Sequence, residues 1–377
     1  MPHSGDSMQD FNETTAVLDE ATASTPASKP VRVPLVYPCG EPPATGTVKE
    51  IAAGVLWLRM PLPLSLSHIN LWAVRDGDGW AIFDTGMHTA ETVQAWDALI
   101  GEGAPLGEQG LSRVLVTHMH PDHVGMAGWL TRRYACELWM TRDEYLNCRV
   151  LAADTGREAP VEGVNFYRRA GWDEAALAHY QARFGSFGEM ISPLPQSYRR
   201  LRDGQTLRIG EHDWHVVVGA GHSPEHACFY CPELKLLISG DQVLPRISSN
   251  VSVFPTEPLA DPMHDWLESL DKLRQQIPDD VLVLPAHDDP FHGLHARLNH
   301  LEGSHRRALD RLQELLAEGP RRVVDVFSAL FARKIDGGLL SLATGESLAN
   351  LNYLVARGKV VVTEDTEGVA WYSGAEV

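Results

Sequence analysis

The sequence predicts a layered α/β fold, in which short buried strands alternate with helices. Five mainly apolar runs of three to five residues each lead into a turn and then into an acidic or histidine side chain. Such runs, bounded by turn-forming residues, are typical of buried strands. Apolar residues at helical spacing occupy 89–100 and 125–134. Because strand ends are where α/β folds gather functional residues, we expect the side chains after these runs to lie together.

The first predicted strands come before these polar turns. Residues 55–58 and 70–74 have strand character, and Gly77-Asp78-Gly79 marks a hairpin turn into a third strand at 80–83. An apolar loop, 61–68, joins the first two strands. This order predicts a hairpin-rich opening of one sheet.

The densest group of chemically active residues follows the apolar run 114–116. The segment 118–123 is His-Met-His-Pro-Asp-His, so four potential ligands stand within six residues. Single residues of the same kind follow later apolar runs: His222, Asp241 and His287, with Asp84 after the strand at 80–83. Imidazole and carboxylate groups suit zinc, and iron or manganese where carboxylates dominate. The sequence therefore predicts a metal site, and it defines the ligand type better than the metal.

These motifs, in this order, resemble those of the metallo-β-lactamase fold superfamily. That family has a D-T-G turn, an H-x-H-x-D-H motif, a later histidine, a bridging aspartate and a last histidine, and the resemblance spans about 48–295. It implies a four-layer αββα sandwich. The implied ligand sets are His118, His120 and His222 for one metal, Asp122, His123 and His287 for a second, and Asp241 as the bridge.

The resemblance also implies roles for residues around the metals. Asp84 is expected to orient a metal-bound histidine or its loop. His226 either donates a hydrogen bond to the substrate or supports its loop. In this family the loop corresponding to 61–68 approaches the metals, so His68 and Asn70 are candidate substrate contacts, with a merely solvated His68 as the alternative.

The enzyme implied by this resemblance is a dinuclear metal-dependent hydrolase. Two divalent ions, zinc in the first place and iron or manganese otherwise, would supply an activated water, and Asp122 and Asp241 would act in catalysis as well as in binding. We expect a small acyl substrate with an ester-type bond, either a thioester or a lactone. Two alternatives share the fold: a phosphodiesterase or ribonuclease, and an oxidative enzyme that holds one iron through His118, His120 and a carboxylate, as in persulfide dioxygenases.

The chain divides into three predicted regions. Residues 1–30 are rich in Ser, Thr, Ala, Pro and acids, which predicts a disordered tail. The catalytic domain extends over 31–296, and its segment 142–200 is predicted to be a helical insertion over the site. The aromatic and arginine side chains of this insertion either form a wall for an acyl or anionic substrate, or the aromatics serve as core in a packed helical hairpin.

The third region, 297–377, has the element order of a winged helix. Helices are predicted at 298–316, 323–331 and 341–356, followed by a hairpin of strands 360–362 and 369–372. Similar C-terminal units occur in metallo-β-lactamase-fold proteins related to mammalian β-lactamase-like proteins. The third helix carries no Lys or Arg before Arg357, and phosphate contacts need cations. We therefore expect packing or homodimer formation, and nucleic-acid binding is disfavoured.

Composition is compatible with a soluble protein and disfavours a general nucleic-acid binder. The net charge of −18 repels nucleic-acid backbones, and five cysteines, an odd number, do not form a disulfide framework and suit a reducing cytoplasm. The pair Cys228 and Cys231 has C-x-x-C spacing within an apolar run, which favours packing over metal binding. No stretch approaches the ~20 apolar residues of a membrane span. We expect a cytoplasmic protein without membrane contact.

Overall fold

Two β-sheets stacked face to face form the centre of the computed structural model, which describes residues 35–63, 66–108, 110–335 and 337–375. The predicted tail at 1–30 lies outside the described residues. The first sheet contains, in spatial order, β1 (Lys49–Ala52), β2 (Val55–Pro61), β3 (His68–Asp76), β4 (Gly79–Phe83), β5 (Leu111–Leu115), β6 (Glu137–Met140) and β7 (Arg199–Arg200). The second contains β8 (Thr206–Ile209), β9 (His212–Gly219), β10 (His226–Cys231), β11 (Leu236–Gly240) and β12 (Leu282–Pro285).

Large apolar side chains fill the space between the two sheets. Phe83 of β4 contacts Trp214 of β9 and Phe229 of β10, with ring centroids 5.8 Å and 4.8 Å apart. Successive side chains of a strand point to opposite faces, so Trp57 of β2 faces this layer whereas its neighbour Leu58 packs on the other side of the sheet. Residue alternation within the strands thus builds the core between the sheets.

Helices cover the outer faces of both sheets. On the first sheet lie α1 (Ala90–Leu99), α2 (Pro121–Val124), α3 (Ala127–Tyr134) and α4 (Arg142–Ala153). On the second lie α5 (Val161–Arg169), α6 (Glu174–Arg183), α7 (Pro262–Gln276), α8 (Leu294–Ala317), α9 (Phe327–Leu330) and α10 (Leu340–Ala356). This order of layers confirms the predicted αββα sandwich. In the described part of the chain, no helix combines the length and apolar character that crossing a bilayer requires.

Polar side chains at the N-termini fix where several of these helices begin. Thr89 accepts a hydrogen bond from the amide of Thr92 at the start of α1, and Asp173 accepts one from Ala176 at the start of α6. Asp261 does the same before α7, whose first residue is proline. Such capping satisfies amides that have no partner within the helix.

Strand direction brings the predicted site residues to one edge of each sheet. β4 and β5 are parallel, so the turns after Phe83 and Leu115 lie at the same edge of the first sheet. In the second sheet β10 is antiparallel to both β9 and β11, and β11 is parallel to β12. β9, β11 and β12 therefore run in one direction. Their carboxyl ends lead into His222, Asp241 and His287.

The aromatic side chains of the segment 142–200 pack inside the protein. Phe166 and Tyr167 lie in the core outside the second sheet, and Tyr145 and Phe187 lie in the core outside the first. This supports the interpretation of a helical segment whose aromatics serve as core. Four arginines of the segment are paired with acids rather than lining a cationic wall: Arg168 with Glu174, Arg169 with Glu364, Arg199 with Glu137, and Arg200 with Glu225.

The C-terminal segment departs from the predicted winged helix. Helices α8 and α10 and a hairpin of β13 (Val360–Glu364) and β14 (Ala370–Gly374) occupy the expected places. The predicted helix at 323–331 is wrong: the chain forms a 3₁₀ turn at Val323–Asp325 and then the single-turn helix α9. Valines disfavour a continuous helix here, and the Asp325 carboxylate closes the turn by accepting from the amide of Arg322.

Helix α10 is also not placed as a DNA-recognition helix. Ten of its residues are buried, whereas a recognition helix must present a free face to a groove. The same apolar core contains residues of α5, α7, α8, α10 and β13. The predicted boundary between 296 and 297 falls inside the first turn of α8. The C-terminal segment thus shares its core with the sandwich.

Candidate metal centre

Seven side chains converge in two groups at the edge where the strand ends meet. Potential ligand atoms of the first group lie within 4.8 Å of one another, and the same holds for the second group. The first group is His118, His120, His222 and Asp241, and the second is Asp122, His123 and His287. These are the seven residues that the sequence predicts as metal ligands.

Three ring nitrogens point at one another in the first group. Nε2 of His118 lies 2.8 Å from Nδ1 of His120 and 3.3 Å from Nε2 of His222. Burial and the neighbouring histidines lower the pKa of His118, and burial together with His222 lowers the pKa of His120 to about 3. Neutral imidazoles with convergent lone pairs are the form in which histidine binds a metal.

Asp241 lies between the two groups. Its Oδ2 is 3.5 Å from Nε2 of His222 and 4.0 Å from Nε2 of His118. Its Oδ1 is 3.4 Å from Nε2 of His123 and 3.6 Å from Nε2 of His287. Burial alone would raise the pKa of Asp241, but His123 and His287 hold it well below its ordinary value. An ionised carboxylate with one oxygen toward each group has the geometry of a bridge.

Buried polar atoms without partners mark the same place. Among the described residues, Nε2 of His123, Nε2 of His287 and Oδ1 of Asp241 are buried and make no hydrogen bond of acceptable geometry. Most buried polar atoms in proteins do have a partner, so each such exception needs an explanation. Imidazole nitrogens and carboxylate oxygens are ligands of divalent transition metals. The residues therefore fit a pair of divalent metal ions.

Asp84 fixes the orientation of His123. Oδ2 of Asp84 lies 2.8 Å from Nδ1 of His123, and Oδ1 accepts a hydrogen bond of 2.8 Å from the amide of Thr117. Because Nδ1 carries the shared hydrogen, Nε2 of His123 faces the centre. Burial would lower the pKa of His123, but Asp241, Asp122 and Asp84 raise it well above its ordinary value. The φ angle of Asp84 is 58°, an uncommon value for a residue other than glycine.

Backbone carbonyls orient two further histidines. Nδ1 of His222 lies 2.7 Å from the carbonyl oxygen of Asn250, and Nδ1 of His287 lies 3.2 Å from that of His68. Each Nδ1 donates, so each Nε2 faces the centre. The contribution of His68 is thus its main-chain oxygen, while its own Nδ1 lies 2.9 Å from Oγ of Ser67.

The Asn70 side chain makes its hydrogen bonds within the protein. Its Oδ1 accepts a hydrogen bond of 2.9 Å from the indole of Trp57, and its Nδ2 donates to the carbonyls of Pro285 and Asp288 at 3.0 Å and 2.6 Å. Only 3% of the residue is exposed. These contacts favour a role in fixing the turn that carries His287, and the substrate contact stays a prediction.

His226 supports the turn that carries Asp241. Its Nε2 accepts a hydrogen bond of 3.1 Å from the amide of Asp241. The imidazole also packs on Gly240, where a Cβ atom would lie 2.6 Å from the ring and where φ is 51°. Only glycine allows this close approach. Of the two predicted roles for His226, loop support agrees with this geometry.

Sequence reasoning missed three buried residues next to the ligand turns. The Glu144 carboxylate accepts hydrogen bonds of 2.8 Å from the amides of Met119 and Glu225, and so ties the two ligand turns together. Asn250 holds His222, as described above. Glu346, whose carboxyl contacts Asn250, gave one signal: it is the only charged residue in the sequence of α10.

The four-layer sandwich carries at its edge two histidine–aspartate groups that could hold metal ions. The chain belongs to the metallo-beta-lactamase superfamily, whose family model matches residues 65–287. A second model, described as the metallo-beta-lactamase-like C-terminal domain, matches residues 309–375. The family predicted from the motifs is thereby confirmed.

The curated relatives are distant in sequence; several are named as thioesterases, and others only as lactamase-like proteins. An atrochrysone carboxyl ACP thioesterase of Aspergillus fumigatus is 25% identical over 67% of this chain and 45% of its own length. The related nsrC of Aspergillus novofumigatus is 24% identical over 75% of this chain and 72% of its own. The human acyl-coenzyme A thioesterase MBLAC2 is 21% identical over 64% and 81%, respectively. This chain thus spans less than half of the first relative.

Two solved structures are similar over most of the chain. A beta-lactamase domain protein from Burkholderia ambifaria is 39% identical, with a TM-score of 0.82 over 90% of this chain and 97% of that one. The metallo-beta-lactamase family protein TTHA1429 from Thermus thermophilus is 26% identical, with a TM-score of 0.71 over 86% and 100%. The family match and the thioesterase names of several relatives support a hydrolase.

Proposed function

We propose that this protein is a dinuclear metal-dependent thioesterase, which hydrolyses an acyl thioester to a carboxylic acid and a thiol. The observation that carries the proposal is the pair of ligand groups joined through Asp241. The thioesterase names of the curated relatives support the choice of bond. A lactone, the other ester-type substrate that the sequence suggests, requires the same attack of water on an acyl carbon.

The ligand groups assign a place to each ion. His118, His120 and His222 would hold the first, Asp122, His123 and His287 the second, and Asp241 would bridge them. When bound, such ions lower the pKa of a water toward neutrality and stabilise the oxyanion that develops at the acyl oxygen. Zinc suits this mixture of nitrogen and oxygen donors, with iron and manganese as alternatives.

The remaining steps belong to the protein's own side chains. Asp84 and the carbonyls of Asn250 and His68 hold three ligand histidines with Nε2 toward the centre, so little reorganisation is needed on binding. Asp122 would accept the proton released when water attacks and pass it to the leaving sulfur, which departs as the thiol. Burial would raise the pKa of Asp122, but His123 and His287 keep it below its ordinary value, so the carboxylate is ionised at neutral pH.

A substrate panel tests this function. Zinc-loaded protein is incubated separately with acyl-coenzyme A thioesters, acyl-pantetheine thioesters, lactones and labelled RNA, and the release of thiol, of acid from the opened lactone, or of RNA fragments is measured. We expect thioester hydrolysis, with loss of bound metal and activity together in His120→Ala. Cleavage of RNA alone would favour a ribonuclease, and oxygen consumption by a protein with one iron per chain would favour a dioxygenase. Full hydrolysis by a metal-free protein would also overturn the proposal.

A further inference from the structure

We infer that Glu346, on helix α10 of the C-terminal segment, is a positioning residue of the metal centre. It acts on His222 through Asn250. The inference rests on the proposed metal centre, and it assigns to the C-terminal segment a direct part in holding one of the two ions. It predicts that this part is confined to the ion held by His118, His120 and His222.

A short chain of hydrogen bonds joins Glu346 to the centre. Oε2 of Glu346 accepts a hydrogen bond of 2.7 Å from Nδ2 of Asn250. The carbonyl oxygen of Asn250 accepts one of 2.7 Å from Nδ1 of His222, and Oγ of Ser252 donates to Oδ1 of Asn250. All four residues are buried. The Asn250 side chain is therefore held at both ends, and this fixes the carbonyl that orients His222.

The backbone of α10 lies directly against the same loop. The amide of Val253 donates a hydrogen bond of 3.0 Å to the carbonyl of Gly345. A Cβ atom at Gly345 would lie 2.8 Å from Oγ of Ser252 and 2.9 Å from its Cβ, so a larger residue would push the helix away. The glycine thus sets the distance at which Glu346 reaches Asn250.

The chemistry of Glu346 is that of a buried neutral acceptor. Burial raises its pKa to about 8, against a lowering by the hydrogen bond from Asn250. A buried acid costs stability that an apolar residue of the same size would not. Its side chain nevertheless accepts a hydrogen bond from Asn250, the residue that holds His222. Packing alone does not explain an acid at this position.

Helix α8 holds the same loop independently of Glu346. The Arg297 guanidinium donates to the carbonyls of Leu244 and Ile247, at 2.6 Å and 2.7 Å, and Nε2 of His305 lies 3.2 Å from Oγ of Ser248. Loss of Glu346 should therefore leave the loop folded and change mainly the orientation of His222. This separation makes the inference testable.

Metal affinity provides the test. Glu346→Ala, Glu346→Leu and Glu346→Gln are compared with the unaltered protein by competition of Zn²⁺ with a chromophoric chelator. We expect Glu346→Ala and Glu346→Leu to weaken one of the two binding steps by up to about 10-fold, because loss of a direct partner of a ligand typically costs about 10- to 100-fold and Glu346 acts one residue further out. Glu346→Gln keeps an acceptor for Asn250 and should stay close to the unaltered protein. The leucine variant retains bulk in case alanine impairs folding.

A core residue of the same helix is the matched control. Leu354 is buried in the core on α10, so Leu354→Ala should lower the urea midpoint while the folded protein keeps both binding steps. The inference is overturned if Glu346→Ala and Glu346→Leu bind both ions normally, or if Leu354→Ala weakens metal binding equally. An unaltered protein that binds no zinc would instead overturn the proposed metal centre.

Discussion

Neighbouring histidines of the centre have opposite pKa shifts. Burial and adjacent imidazoles lower the pKa of His118, whereas Asp241, Asp122 and Asp84 outweigh burial and raise that of His123. The carboxylates thus gather around the second group, where they would offset the charge of bound cations. Because protons compete with metals for these donors, both ions should be lost progressively in acid.

Asp84→Asn tests the orientation of His123. Asparagine tolerates the positive φ of this position, but it has one acceptor oxygen for three donors, the amide and hydroxyl of Thr117 and Nδ1 of His123. We expect zinc affinity to fall by about 10- to 100-fold with little loss of fold. The measurement is a chelator competition titration. Asp97→Asn, which removes a half-exposed partner of Arg133, is the control and should bind zinc normally.

The unfolding free energy should depend on pH through Glu346. The pKa of Glu346 is about 8 in the folded protein and 4.5 ordinarily, so the folded state holds a proton that the unfolded state releases. The contribution of Glu346 to the unfolding free energy is therefore fully present below its pKa in the unfolded state. It is lost as the pH rises through its pKa in the folded state, by about 1.4 kcal/mol per unit of difference between the two pKa values. Glu346→Gln cannot titrate.

Urea unfolding at several pH values, with and without Glu346→Gln, measures this effect. The variant should be more stable than the unaltered protein at about pH 9 and should lose that advantage toward about pH 5. The difference between the two proteins cancels the titration of the histidines, which is common to both. A constant difference across this range would show that Glu346 does not titrate in the way its burial implies.

The ligands could be predicted from sequence because each follows its own apolar strand. His222, Asp241 and His287 needed only local pattern and motif order to be selected. The contacts of Asn70 with Pro285 and Asp288 could not be predicted, since these partners are more than two hundred residues away. Glu346 was missed for the same reason: its partner Asn250 lies 96 positions away, so the one local signal, a lone charge in α10, did not identify its role.

At the scale of elements, close backbone packing sets where helices can lie. Gly128 on α3 abuts the main chain at Pro193, where an added Cβ would lie 2.0 Å from the carbonyl oxygen. Main-chain atoms cannot yield as a flexible side chain can. The contact holds α3, which follows the ligand motif 118–123, against the segment that ends the helical insertion.

Gly128→Ala and Gly303→Ala should therefore have opposite effects on stability. Alanine at Gly128 forces the backbone apart, and overpacking of this kind costs about 1–3 kcal/mol. Gly303 lies within α8, where an added Cβ meets only the end of the Arg307 side chain at 3.1 Å. Helix propensity then favours alanine by about 1 kcal/mol. Urea denaturation of both variants checks the signs, and equal destabilisation would contradict the packing argument.

Helices and strands were predictable where the spacing of apolar residues and the length of the segment indicated the same element. They were not predictable where two short elements follow each other directly. The long amphipathic pattern predicted α8, and apolar runs with the hairpin turn at 77–79 predicted β2 to β4. The segment 323–331 was assigned one helix because it is apolar, although its β-branched residues and the Asp325 turn divide it. The sequence could not distinguish whether the aromatic side chains of the insertion pack in the core or contact a substrate.

At the scale of the whole molecule, one core extends from the sandwich into the C-terminal segment. Trp266 of α7, Leu298 of α8 and Leu351 of α10 belong to the same apolar cluster, as does Val360 of β13. Domains with separate cores can unfold separately, but elements that share a core lose their packing together. The C-terminal segment is therefore expected to depend on the sandwich for its stability.

Equilibrium unfolding in urea should accordingly show one transition. Tryptophan fluorescence, which reports on the core between the sheets through Trp57 and Trp214, and circular dichroism, which reports on the helices, should give the same midpoint. A C-terminal segment with its own transition would contradict a shared core. It would also weaken the argument that α10 holds the metal centre.

Metal analysis tests the central claim most directly, namely that seven converging side chains hold two ions. Protein saturated with Zn²⁺ and freed of excess is analysed by mass spectrometry of the elements, beside Asp241→Ala, which lacks the carboxylate between the groups. The account predicts two ions per chain in the unaltered protein and a loss of at least one in the variant. A chain that retains no zinc, or a variant that retains both ions, would contradict it.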